Sequence, residues 1–140
     1  MKFLVPSDGS DNAVRAVAHV IRLARCREPV EVLLLNVRVP VDAWEVRRFL
    51  TEEEITALQQ KEGEDDLTTS RALLDEAGVP YTAQVADGPV AQTIARMADD
   101  SGCDQIVMGT HGRGGIASLF LGSTAAKVVH LAKVPVTLVK

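Results

Sequence analysis

Gly109 and Gly112 form a G-x-x-G pair, and after nine further residues come Gly122, Ser123 and Thr124. Residue types at this spacing suit the binding of an anion. Glycine lacks a Cβ, so the chain can take positive φ and bring backbone N–H groups close to a ligand. Ser123 and Thr124 add hydroxyls where an amphipathic helix is expected to begin, and the unpaired first-turn amides of such a helix carry the positive end of its dipole. The result is two half-sites joined by a bridge that contains Gly114 and Gly115. His111 and Arg113 lie in the same stretch, either to touch phosphate or to stay solvated on the loop. Asp8, after an early apolar run, is either a ligand acceptor or a turn-forming residue.

Other chemistries find less support. Gly112–Ala117 formally matches G-x-G-x-x-A, but no acid follows it to hold a ribose. There is no G-x-x-x-x-G-K-[ST] and no G-x-S-x-G, and His19, His111 and His130 lack paired metal-ligand spacing. The polar run Lys61–Asp66 reads as a solvated helix face or a kink at Gly63, because carboxylates without histidine or a binding loop rarely make a metal site.

The formal charge of −4 on 140 residues disfavours nucleic acid as a partner. Every Asp and Glu lies at or before Asp104, whereas residues 105–140 hold Arg113, Lys127, Lys133 and Lys140, which predicts a positive field around the glycines. Cys26 and Cys103 show neither C-x-x-C nor metal spacing, and no long apolar span occurs. The expectation is a cytoplasmic protein with reduced thiols, no membrane insertion and one domain over 1–140.

The positioning elements follow from periodicity. Phe3–Pro6 reads as a strand, ended by Asp8-Gly9-Ser10. A helix follows with Val14, Val17, Ala18 and Ile21 inward and Ser10 or Asp11 as N-cap. Val30–Val39 is apolar enough for a strand covered on both faces. Residues 40–50 read as a loop in which Trp44 either anchors to the core or covers a bound base. Thr51 and Glu54 make a capping box for a helix running to Gly78, with Ile55, Leu58, Leu67, Leu74 and Ala77 inward. A strand over Val79–Ala86 and a helix with Pro89 at N1 follow, with Val90, Ile94, Met97 and Ala98 inward. The chain then gives a strand over Cys103–Met108, a helix over Ser123–Ala132 with Ala125, Val128, Val129 and Ala132 inward, and a last strand over Val134–Val139. Alternating strands and helices specify a parallel α/β sandwich, but spacing alone leaves the strand order open.

Gly109, Gly112, Gly122 and Ser123 resemble the G-x-x-G, nine-residue, G-[ST] pattern of the universal stress protein family, in its nucleotide-binding subgroup. Leu4-Val5-Pro6-Ser7-Asp8-Gly9-Ser10 resembles that family's opening strand and turn, and Val134-Pro135-Val136 its ending, so the likeness covers the whole chain. The resemblance implies a Rossmann-like, adenine nucleotide alpha hydrolase-like sheet of order 3-2-1-4-5. It implies ATP or AMP, with Mg2+ as an accompanying ion, bound by Pro6, Ser7, Asp8, Val37, Met108, Gly109, His111, Gly112, Arg113, Gly122, Ser123 and Thr124. Backbone groups near Asn36-Val37-Arg38 would hold the adenine. The function implied is a nucleotide-dependent switch in stress response; a slow ATPase and a nucleotide-free dimeric stress protein are the alternatives. With no carboxylate after Asp104, only weak hydrolysis is expected. In that order the apolar last strand is an edge, which predicts a homodimer through it.

Overall fold

The computed structural model describes residues 1–26, 29–41, 44–113 and 120–140. Asp42, Ala43, Gly114, Gly115, Ile116 and Ala117, named or spanned by the expectations above, lie outside the described residues. Along the chain come β1 (Lys2–Pro6), α1 (Asp11–Ala24), β2 (Glu31–Arg38), α2 (Trp44–Arg47) and α3 (Glu52–Ala77). They are followed by β3 (Tyr81–Asp87), α4 (Val90–Asp100), β4 (Gln105–Gly109), α5 (Ser123–Leu131) and β5 (Val136–Val139). Every strand pairing is parallel and the order is β3-β2-β1-β4-β5, as the resemblance implied.

Side chains alternate across a strand, and here each set finds its own layer of helices. Phe3, Val5, Val32, Leu34 and Val107 pack with Val17 and Val20 of α1 and with Leu67 and Leu74 of α3. Leu4, Leu33, Leu35, Ile106 and Met108 face the other way, onto Ile94 and Ala98 of α4 and Ala125 and Val128 of α5. Each fully buried Leu or Ile contributes about 1.5–3 kcal/mol, which makes β1, β2 and β4 the centre of the fold. Cys103 belongs to the second layer, and burial raises its thiol pKa, while Cys26 is exposed; both are free. Among the described residues no helix is long and apolar enough to cross a membrane.

Local signals set the helix ends. Ser10 caps α1, its Oγ accepting from Ala13 N at 3.3 Å. Thr51 and Glu54 form the expected capping box, and Gly78 ends α3 with φ of 65°. Several inward assignments need correction. The buried face of α1 is Ala13, Ala16, Val17 and Val20, rotated from the expected one, with Val14, Ala18 and Ile21 only partly covered. Leu58, Ala77 and Val129 are exposed and belong to neither buried layer. Pro89 is the N-cap of α4 rather than N1, with extended φ/ψ and no side-chain bond. Within 40–50 the chain forms the short helix α2, and Trp44 is 65% exposed against Arg48, neither anchored in the core nor over the crevice described below.

Gly63 is a contact point within α3, which is continuous from Glu52 to Ala77. A Cβ there would lie 2.6 and 2.9 Å from the two methyls of Val85 and 3.0 Å from Asn36 Oδ1. The glycine lets the helix settle onto β2 and β3. Gly63→Ala would gain roughly 1 kcal/mol of helix propensity, but overpacking against a stiff valine costs about 1–3 kcal/mol. We expect a lower urea midpoint for Gly63→Ala, and a double variant with Val85→Ala that is less destabilised than the two single losses added together; strict additivity would show that the two residues do not press on each other.

Candidate functional site

At β1 the sheet changes direction of growth, with β2 on one side and β4 on the other. The chain leaves β1 for α1 on one face and leaves β4 for α5 on the opposite face, so the carboxyl ends of the two strands part and a crevice opens above them. It encloses about 440 Å³. Its walls hold Pro6, Asp8, Val37, Met108, Gly109, His111, Gly112, Arg113, Gly122, Ser123 and Thr124, together with Ser10, Ala13, Val90, Thr110 and Ala125. Every residue expected at the site is there except Ser7. That side chain is buried on the α3 side of the sheet, with its Oγ 3.1 Å from Ser70 Oγ and accepting from Gly9 N at 3.4 Å.

The glycines act by closeness and not by positive φ, which corrects the expectation. Among the described residues positive φ occurs at Gly9, Gly78, Gly88 and Gly102, and at none of the crevice glycines. A Cβ on Gly109 would come within 2.7 Å of Asn12 Cβ and 3.0 Å of the Asn12 backbone, so the end of β4 lies directly against α1. A Cβ on Gly112 would meet Asp8 Oδ2 at 2.7 Å. At Gly122 it would meet Thr110 O at 2.7 Å, where Gly122 N–H donates to that oxygen at 2.8 Å. The two ends of the 110–122 segment thus touch, and Thr110 N continues the sheet by donating to Val139 O at 3.0 Å. His111 spans the same join, bonding the Thr110 hydroxyl at 3.0 Å through Nδ1 and the Phe120 carbonyl through Nε2. Gly122 is the N-cap of α5 and supplies no side-chain acceptor, so the first-turn amides of Ser123, Thr124 and Ala125 are left at the crevice wall.

Asp8 does two things. Its Oδ1 accepts from Ser10 N at 3.0 Å, which shapes the β1–α1 turn, and its Oδ2 accepts from Arg113 N at 3.0 Å, which ties that turn to the loop after β4. The Arg113 side chain reaches back over Gly9 to Asp66, with Nη2 donating to Oδ1 at 2.7 Å. Part of the predicted positive field is therefore met by nearby acids: the Arg113 guanidinium by Asp66, and Lys133 by Asp99. The polar run of α3 is accordingly not just a solvated face. Asp66 is 11% exposed and also accepts from Arg38 Nη1 at 3.1 Å and Asn36 Nδ2 at 3.5 Å. Sequence reasoning missed it, although Gly63, Asp66, Leu67, Ser70 and Leu74 recur at helical spacing and share one buried face.

A doubly wound parallel sheet with a glycine-walled crevice at its switch point defines the class: a small single-sheet α/β domain with an anion-compatible site. The sequence model of the Universal stress protein family matches residues 1–140, and the chain belongs to that family. It is 36% identical over 138 residues to a universal stress protein of Thermus aquaticus, covering 98% of this chain and 96% of the relative. It is 31% identical over 146 residues to Universal stress protein MJ0531 of Methanocaldococcus jannaschii, covering 99% and 81%. The solved structure of hypothetical protein MJ0577, from the same archaeon, superposes with a TM-score of 0.85 at 29% identity, covering 99% of this chain and 94% of that one. A universal stress protein in complex with cAMP superposes at 0.74 (21% identity, 100% and 97% covered). A family protein from Arabidopsis thaliana with AMP bound does so at 0.69 (19% identity, 100% and 91% covered). At those last identities the likeness is one of fold.

The Asp8 clamp can be tested without any ligand. Hydrogen bonds to a charged acceptor are worth about 1.5–3 kcal/mol when buried, and this half-exposed carboxylate holds two. Asp8→Ala should lower the unfolding free energy in urea by roughly 1–2 kcal/mol, and Asp8→Asn, which keeps one acceptor oxygen, by less; equal losses would contradict the two-acceptor geometry.

Proposed function

We propose that the crevice binds an adenine nucleotide, ATP or AMP, and that occupancy switches the protein between conformations or partners in a stress response. The observation that carries this reading is the convergence of Gly109, Gly112 and Gly122, each packed too closely for a Cβ, with the open first turn of α5 on one cavity wall. Backbone amides and the hydroxyls of Ser123 and Thr124 suit a phosphate there. Val37, at the end of β2, lines the cavity from the other side of β1, where its backbone suits adenine. The volume is that of a small-ligand pocket. The AMP-bound and cAMP-bound relatives of the same fold support the choice of nucleotide. Mg2+ would come with the phosphates, since the described residues hold no group of three or more His, Cys, Asp or Glu able to take it; Asp8 is the carboxylate on the wall. Both Asp8 oxygens are engaged by backbone N–H groups, so among the described residues the one carboxylate on the crevice wall is already occupied, and we propose a binding switch with slow hydrolysis at most. Free thiols and the lack of a spanning helix among the described residues accord with a cytoplasmic place of action.

Nucleotide binding is tested by calorimetry and thermal shift. ATP at ~100 times its Kd should stabilise the protein by about 2.7 kcal/mol, and GTP by less, because guanine inverts the donor and acceptor pattern that backbone groups offer adenine. Gly122→Val should abolish binding, since its side chain would push the Thr110 carbonyl and open the join between the half-sites. Unchanged ATP affinity in folded Gly122→Val would sink the assignment.

We further propose a homodimer through β5. This strand is a sheet edge, its residues are half-buried, and Val129 and Leu131 of the preceding helix are exposed. An antiparallel partner β5 would satisfy the free backbone groups of both chains. Val136→Lys with Leu138→Lys should give a folded monomer in analytical ultracentrifugation; a wild-type monomer at micromolar concentration would remove the proposal.

A further inference from the structure

Arg113 is the one arginine or lysine on the crevice wall among the described residues, yet its charge is spent elsewhere. Its guanidinium lies over the β1–α1 turn, where a Cβ on Gly9 would meet Nη2 at 2.8 Å and Asp66 Oδ1 at 3.3 Å. Asp66 takes Arg113 on Oδ1 and Arg38 on Oδ2, and Arg38 also pairs with Glu62. The carboxylate is nearly buried, whereas Arg113 is 65% exposed. An exposed guanidinium is held weakly and is screened by water, so it can leave; Asp66 would then keep Arg38 and would not be left as an unpaired buried charge.

From this geometry we infer that Asp66 is a specificity-determining residue of the crevice: by holding Arg113 it sets how strongly the site favours a nucleoside triphosphate over a monophosphate. The inference rests on the nucleotide reading above. Glycine amides and the first turn of α5 serve one phosphate group in either ligand. A free Arg113 adds a cation whose attraction grows with the charge of the phosphate chain, so releasing it benefits the triphosphate more. A ligand can shift the Arg113 equilibrium only by its different affinity for the held and released states, and the monophosphate has little such difference. Asp66 acts through Arg113 and need not touch the nucleotide.

The test is a two-by-two set: wild type, Asp66→Asn, Arg113→Gln and the double variant, each titrated calorimetrically with ATP and with AMP. Asp66→Asn should tighten ATP by roughly three- to tenfold and AMP by less than about twofold, and the gain for ATP should vanish in the Arg113→Gln background. That background removes the general effect of deleting a negative charge. An unchanged ATP-to-AMP ratio in Asp66→Asn, or a gain that persists without Arg113, overturns the inference. Phenylglyoxal labelling of Arg113 in nucleotide-free protein, followed by peptide mass, reads the contact independently: labelling should be several-fold faster in Asp66→Asn, and an equal rate overturns the hold on Arg113. If the wild type binds neither nucleotide, the nucleotide reading and the selectivity fall together, while the labelling still decides whether Asp66 restrains Arg113.

Discussion

Strand β1 is the constraint on which the rest of the structure depends. Five residues long, it is hydrogen-bonded on both edges, to β2 and β4, and covered on both faces by helices. Phe3, Leu4 and Val5 are therefore buried whichever way they point, and no polar residue could replace them without losing a partner. Because the two neighbours of β1 come from different parts of the chain, its carboxyl end is the one place where turn residues 7–10 and loop residues 109–113 must meet. The crevice is a geometric result of strand order, and the residues around it are fitted to that result.

The fitting is done by contacts too short for ordinary side chains. Gly109 lies on Asn12, Gly112 on the Asp8 carboxylate and Gly122 on the Thr110 carbonyl, so three separate segments close around one space. Asp8 then fixes the separation by accepting from both sides. A cavity wall built of backbone presents N–H groups at fixed positions, and needs little reorganisation when a charged group arrives. The same property makes it intolerant of substitution, since a methyl group at Gly109 or Gly122 would press on backbone and one at Gly112 would displace the Asp8 carboxylate.

Much of this was legible in the sequence. Apolar runs marked the strands, Thr51-x-x-Glu54 and Gly78 marked both ends of the longest helix, and the glycine spacing marked the crevice. Strand order was not legible from spacing and came from the family likeness, because pairing in a parallel sheet is decided by distant segments. The reason for the glycines was misread, since close approach and positive φ both demand glycine and only coordinates separate them. Trp44 misled because a tryptophan's large apolar surface argues for burial, while its place on a short helix off the sheet leaves it exposed. Asp66 was hidden for a different reason. Its partners Arg38 and Arg113 stand 28 and 47 residues away, and a carboxylate among Lys61, Glu62, Glu64 and Asp65 looks solvated until Gly63 and Leu67 are seen to share its face.

Helix α3 is longer than the sheet it covers. Its first buried residue is Gly63, so Glu52–Glu62 stands beyond the core as an arm of roughly 16 Å, fastened by Gln59 to the Val39 carbonyl and by Glu62 to Arg38. The helix runs opposite to the strands, which puts this arm on the crevice side of the molecule. It carries four glutamates against one lysine. For the anionic ligand proposed above, these glutamates would add repulsion on the approach to the crevice. Since the Debye length is about 10 Å at 0.1 M salt, moderate ionic strength hides the arm while leaving the enclosed site largely unscreened. If the crevice takes an anion as proposed, salt would act as a gatekeeper, quickening its arrival here where it would slow arrival at a basic protein.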